Sequence, residues 1–215
     1  MDGRERLIAG AEVLALALTV QQVDQLMAFV ALIEKWNKAY NLTAIRNRAD
    51  SIDLHLLDSL AIAPFVTGRR VIDIGTGAGL PGIPLAIYQP DTEFVLLDSN
   101  AKKTRFVQQA ILELKLKHVT VCHSRVEDYQ PEKRFDAVLT RAFASLADIV
   151  QLTAHLLNPQ GVLLAMKGQR PDDELAALVL SQHTPLPNTV IPIKVPNIDA
   201  ERCLVRIASP EANEV

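Results

Sequence analysis

Residues 71–82, Val71-Ile72-Asp73-Ile74-Gly75-Thr76-Gly77-Ala78-Gly79-Leu80-Pro81-Gly82, form an apolar run that passes through an acid into alternating glycines. Glycine at 75, 77 and 79 admits positive φ and removes the Cβ atoms that would hold a ligand off the main chain. A strand-to-helix loop of this composition can therefore touch a nucleoside cofactor with its own backbone. The dinucleotide fingerprint G-x-G-x-x-G fails, because the place of its third glycine is taken by Leu80. Asp73 points the same way, since a pyrophosphate would be repelled by a carboxylate at the strand end and a cationic ligand attracted.

Other residues that could do chemistry follow later β-rich runs. Asp98 comes near the ~20-residue spacing at which an acid meets ribose hydroxyls; it is equally suited to cap the next helix, in Asp98-Ser99-Asn100. In Ser124-Arg125-Val126-Glu127-Asp128, Val126 can pack on a flat ring and Glu127 or the backbone can accept from an exocyclic amine. Arg141 offers a planar cationic fork for a carboxylate or phosphate, with a surface arginine as the alternative. Lys102, Lys103 and Arg105 open a helix where the dipole disfavours positive charge. With Lys167 and Arg170 they would place five cations on one rim, which suits RNA, although any one of them serves as readily for solubility.

Metal chemistry is not expected: Cys122 and Cys203 stand in no metal-type spacing, and His118, His123, His155 and His183 show neither ligand nor triad spacing. His55, three residues before Asp58, reads as an acid–base group or as half of a local helical pair. No cysteine nucleophile and no Asn/Asp-Pro-Pro-aromatic tetrapeptide follows the fourth strand.

The elements that must position these groups are legible in outline. A capping box at Thr19 and Gln22 opens an amphipathic helix ending near Tyr40, and a second helix is predicted over 49–63, ahead of Pro64. Strands over 71–74, 93–97, 119–123, 135–140 and 162–166 alternate with helices over 84–88, 102–116 and 145–157, with a turn at 158–161. A helix over 172–181 and a closing hairpin from 190–195 and 202–207 complete the chain. This is α/β alternation, a mostly parallel twisted sheet with helices on both faces. Residues 1–66 form an N-terminal helical extension packed on the core, 67–208 the ligand-binding domain and 209–215 a flexible tail.

At 215 residues and 49% hydrophobic content the chain fits one ordinary domain, and a net charge of −3 excludes a uniformly basic nucleic-acid binder. The apolar run 13–18 is too short and is preceded by Glu12, so it is no signal segment, and no stretch reaches the ~18 apolar residues of a membrane span. Two distant cysteines suit a reducing, cytoplasmic setting.

The order acidic-x-G-x-G-x-G resembles the S-adenosylmethionine (SAM) methyltransferase superfamily, whose donor carries an ammonium and a sulfonium and no phosphate. The resemblance narrows over nearly the whole chain. The blocks are Lys35-Trp36-Asn37-Lys38-Ala39-Tyr40-Asn41-Leu42-Thr43, His55-Leu56-Leu57-Asp58-Ser59, the glycine loop, Leu96-Leu97-Asp98-Ser99, Arg125-Val126-Glu127 and Arg141-Ala142-Phe143-Ala144-Ser145. They resemble the RsmG (GidB) family, the bacterial 16S ribosomal RNA guanine-N7 methyltransferases. The resemblance implies a Rossmann-like class I SAM-dependent methyltransferase fold and SAM as methyl donor. It also implies a guanine of small-subunit rRNA as substrate, cofactor contacts at Gly75, Leu80, Val126, Glu127 and Arg141, and Arg141 beside the chemistry. A monomer acting on 16S rRNA or the small subunit is expected. Leu54, Thr140 and Ala101 depart from the family pattern near expected RNA contacts. The loop alone leaves open a nicotinamide-dependent oxidoreductase, a small-molecule methyltransferase and an rRNA-binding assembly protein with a vestigial pocket.

Overall fold

The computed structural model describes residues 2–141, 144–181 and 186–213. Five parallel strands carry the site: β1 (Arg70–Ile74), β2 (Glu93–Asp98), β3 (Val119–His123), β4 (Phe135–Arg141) and β5 (Leu157–Lys167). Antiparallel β6 (Asn188–Pro192) and β7 (Cys203–Ala208) extend the sheet, in the order β3-β2-β1-β4-β5-β7-β6. Alternate residues feed opposite faces, so Val71 and Leu96 join one apolar cluster while Ile72 and Leu97 join the other. Both faces are buried, which is why these strands read as continuous apolar runs.

Helices α1 (Gly3–Val13), α2 (Val20–Tyr40), α5 (Gly82–Tyr88) and α6 (Ala101–Glu113) cover the first face, and α7 (Leu146–Thr153) and α8 (Asp172–Ser181) the second. Leu7, Leu26, Phe29 and Leu57 lie in one cluster with Val71 and Leu139, so the N-terminal helices share the sheet's core. The Asp2–Glu5 capping box that starts α1 went unread in the sequence; the Thr19–Gln22 box starts α2 as predicted.

Three expectations change. The helix predicted over 49–63 is broken into α3 (Arg48–Ser51), a π-helical turn (Ile52–Leu57), α4 (Asp58–Leu60) and a 3₁₀ turn (Ala63–Phe65) that holds Pro64. Asp58 N–H bonds Asp53 C=O, five residues back, and that extra residue is the π insertion. The turn expected over 158–161 is instead a bulge within β5: Phe135 pairs with Leu157 but Ala137 with Val162. A Cβ on Gly161 would lie 3.0 Å from the Phe135 and Asn158 carbonyl oxygens, so a side chain there would crowd the bulge. The stretch expected as a tail is tied down at its start: Ser209 is fully buried and donates its N–H to Gly161 C=O, and Glu211 pairs with Arg134. No helix among the described residues is long and apolar enough to cross a membrane.

Candidate active site at the carboxyl edge of the sheet

Strand order reverses between β1 and β4, and in open α/β sheets ligands collect beyond the strand ends at such a switch. The glycine loop leaves β1 there. Gly75, Gly77 and Gly79 all take positive φ, 65°, 60° and 79°, which side chains rarely tolerate. Two carboxylates hold the loop. Asp73 Oδ2 accepts from Thr76 Oγ1 at 2.6 Å and from Gly82 N–H at 3.0 Å, tying the loop's start to the first turn of α5. Asp98 Oδ2 accepts from Gly77 N–H at 2.9 Å, while its Oδ1 accepts from Asn100 N–H at 2.8 Å. Asp98 is therefore a clasp on the loop. The cap of α6 is Asn100, whose side chain accepts from the Lys102 and Lys103 N–H groups.

Asp73 is 1% exposed, its Oδ1 has no hydrogen-bond partner, and burial pushes its pKa up to about 7 against the pull of Thr76, Gly82 and Arg141. Between about pH 4 and 7 the folded chain therefore holds a proton that the unfolded chain has released. Stability falls as pH rises through that window and levels off above it. Asp73→Asn will flatten this fall: urea unfolding at pH 5 and pH 7.5 is expected to show a gap between variant and parent that changes by a few kcal/mol.

Two cavities open along this edge. The first, about 440 Å³, is lined by Gly75, Asp98, Lys103, Val126 and Glu127, with Leu152 from α7. Its volume lies within the range of small-ligand sites. Gly75 brings no side chain, both Asp98 oxygens keep a lone pair beyond their backbone bonds, and buried Val126 gives an apolar wall. Four of the expected cofactor residues thus meet in one place. Asp73, Gly77, Gly79 and Leu80 do not line it: Asp73 is buried within the loop, Gly77 is tied to Asp98, Gly79 packs over Ile83, and Leu80 is buried in the core with its N–H bonded to Thr76 C=O.

The second cavity, about 590 Å³, lies over β4, β5 and β7 and contains Arg141, Arg202, Asp58 and His55. Asp58, 5% exposed, accepts from Arg202 Nε at 3.1 Å and Arg141 Nη1 at 3.3 Å; Arg141 also reaches Leu54 C=O at 3.4 Å. The His55–Asp58 helical pair expected from spacing is absent, because the π-helical turn intervenes and the carboxylate takes the two guanidinium groups instead. Asp53, in the same turn, pairs with Arg6 of α1 and accepts from Asn197 at 3.2 Å. Sequence reading missed Arg202 and gave Asp58 only a local role. The available signal was a lone arginine opening the apolar run Cys203-Leu204-Val205.

The five-cation rim divides. Lys167, 15% exposed, bonds both oxygens of Glu174 and the Ala144 carbonyl, while Glu174 also accepts from Leu146 N–H at 2.8 Å. It fastens β5 to α8 and is not a free RNA contact. Arg170 pairs with neighbouring Asp172 on the surface. Lys102, Lys103 and Arg105 have no ion-pair partner among the described residues, and Lys103 sits on the first cavity. Residues 142 and 143 of the Arg141 block, and His183, lie outside the described residues.

The family model described as rRNA small subunit methyltransferase G (GidB) matches residues 22–197. The chain belongs to this family. Ribosomal RNA small subunit methyltransferase G of Nitrosococcus oceani is 49% identical over 212 residues, covering 99% of this chain and 98% of its own. The protein of the same name from Psychromonas ingrahamii is 50% identical over 193 residues, covering 90% and 92%. Among solved structures, the plantazolicin methyltransferase BpumL in complex with SAH aligns at TM-score 0.59 with 10% identity, over 86% of this chain and 97% of that one. The N-methyltransferase NodS of Bradyrhizobium japonicum with S-adenosyl-L-homocysteine aligns at 0.57 with 13% identity, over 84% and 99%. At such identities these last two speak for the fold, which is the Rossmann-like class I methyltransferase fold expected from the sequence.

Proposed function

We propose that this GidB family member transfers the methyl group of SAM to N7 of a guanine in 16S rRNA of the small ribosomal subunit, acting as a cytoplasmic monomer. One observation carries the reading: a bare glycine loop, clasped by Asp73 and Asp98, opens on a nucleoside-sized cavity beside a second, largely apolar cavity that holds Arg141. Gly75, Asp98, Val126 and Glu127 would hold the adenosine part of the donor. When bound, the donor supplies an electrophilic methyl carbon: the N7 lone pair forms the new N–C bond as the C–S bond breaks, and its electron pair stays on sulfur.

No proton leaves in that step, because N7 is an unprotonated acceptor. The site is consistent with this. His55 is a poor base, its pKa lowered to about 4 by burial and then by the Arg141 guanidinium, against a weaker opposing pull from the Leu54 backbone. Residues that orient the base do the work, and holding reacting atoms in line can supply about 7–11 kcal/mol. Arg141, whose fork has N–H groups beyond those facing Asp58 and Leu54, suits a carboxylate or phosphate. Lys102, Lys103 and Arg105 suit the RNA backbone. The base must expose its N7 edge, which favours an irregular loop over a regular A-form helix with its deep, narrow major groove.

The test is mass mapping of small-subunit rRNA from cells lacking the gene, before and after incubation with purified protein and SAM. One new 7-methylguanosine is expected. Transfer to no rRNA guanine, or raised melting temperature with NAD and not SAM, would overturn the reading.

A further inference from the structure

We propose that the second cavity receives the target purine and that His55 reads it, accepting a hydrogen bond from guanine N1–H; this rests on the methyltransferase reading above. His55 is 4% exposed and lines that cavity; its ring nitrogens are shielded from bulk water and make no hydrogen bond of ordinary geometry, with only the Leu54 backbone acting weakly on the ring. Buried imidazoles are ordinarily satisfied, so an unpaired one on a cavity wall is poised for a ligand. It stands in the π-helical turn Ile52–Leu57, and such insertions recur where a side chain is re-aimed for function.

The surroundings suit a flat base. Leu54, Met166 and Ile193 give apolar walls, and about 590 Å³ lies within the range of small-ligand sites. A neutral imidazole presents one acceptor nitrogen and one donor, and the Leu54 backbone, which favours a proton on the ring, sets the donor nitrogen and leaves the other to accept. Guanine carries a hydrogen on N1, where adenine has only an acceptor, so the acceptor nitrogen separates the two purines. N1 is on the far side of the six-membered ring from N7, and reading it leaves the methylated atom open. Arg141 cannot make the common bidentate contact to guanine O6 and N7, because that would cover the lone pair that must react. The base-reading task therefore falls to another side chain, and Asp58 is already held by two arginines.

Semi-synthetic 16S rRNA with guanine or 2-aminopurine at the methylated position, assembled into small subunits, tests this. 2-Aminopurine keeps N7 and the exocyclic amine but has no N1–H. Single-turnover methylation at saturating SAM is compared for the parent, His55→Leu and His55→Gln, with SAM affinity by calorimetry and urea midpoints alongside. The parent is expected to prefer guanine by at least about 100-fold, since sites built to hydrogen-bond a substrate group reject analogues lacking it by up to about 10⁴–10⁵. His55→Leu will cut that preference at least about tenfold, mainly by slowing guanine, with SAM affinity within twofold; His55→Gln will restore part of it. An unchanged preference in His55→Leu, or equal slowing on both bases, overturns the assignment while leaving guanine methylation standing. A parent protein that methylates no guanine removes the methyltransferase reading and this inference with it.

Discussion

An Arg141→Ala protein is expected to fold, to bind the small subunit and to transfer methyl groups at no more than about 1% of the parent rate. The fold survives because Arg141 is not the sole partner of the buried carboxylate it faces: Arg202 Nε stays 3.1 Å from Asp58 Oδ1. Breaking a buried pair outright would cost about 3–5 kcal/mol, and the remaining guanidinium lowers that to about 1–3 kcal/mol. The site does not survive. Arg141 ends β4, at the strand-order switch, and its Nη1 also reaches the Leu54 carbonyl beside His55, so it links the strand end to the π-helical turn. Without it both the anionic group it would hold and the wall of the second cavity lose their position, and misplacement by about 1 Å suffices for a 100-fold loss. Arg141→Lys restores the charge without the fork and is expected to recover activity only to within about tenfold of the parent. Single-turnover rates, read against SAM affinity and urea midpoints, check this; a folded Arg141→Ala with parental turnover would reduce Arg141 to a structural tie.

The first cavity was legible in the chain because its parts are local. A strand that ends in glycines, an acid at the next strand end and an apolar–acidic pair at the third each announce themselves, and parallel topology gathers strand ends without further information. The second cavity was not. Arg202 and Asp58 meet across 144 positions, and Asp58 and Arg141 across 83. The π insertion that unpairs His55 from Asp58 adds one residue to a ladder whose sequence reads as plain helix. Lys167 shows the same limit in reverse: its place at the carboxyl end of β5 was legible, but Glu174 on the following helix neutralises it. Type and place follow from local pattern, whereas partnership is decided by tertiary contacts.

Gly75→Leu is expected to lower SAM affinity by at least about 100-fold, about 2.7 kcal/mol, while leaving a cooperative fold. Gly75 holds φ at 65° and lines the 440 Å³ cavity, so a side chain there meets two separate penalties. The left-handed conformation costs an L-residue about 1–2 kcal/mol, which a domain of this size tolerates. The second penalty falls on the ligand, because a four-carbon side chain on the wall takes space that the nucleoside requires. Gly79→Val separates the two effects. Its φ is also positive, at 79°, but a Cβ there would lie 2.6 Å from Ile83 Cδ1, inside the core. That variant is expected to lose about 2–4 kcal/mol of stability by overpacking and strain, visible as a lower urea midpoint. On these outcomes the loop would contain one glycine kept open for the ligand and another required by the fold. Calorimetry on folded Gly75→Leu decides the matter, since unchanged SAM affinity would mean that the donor does not lie against this loop.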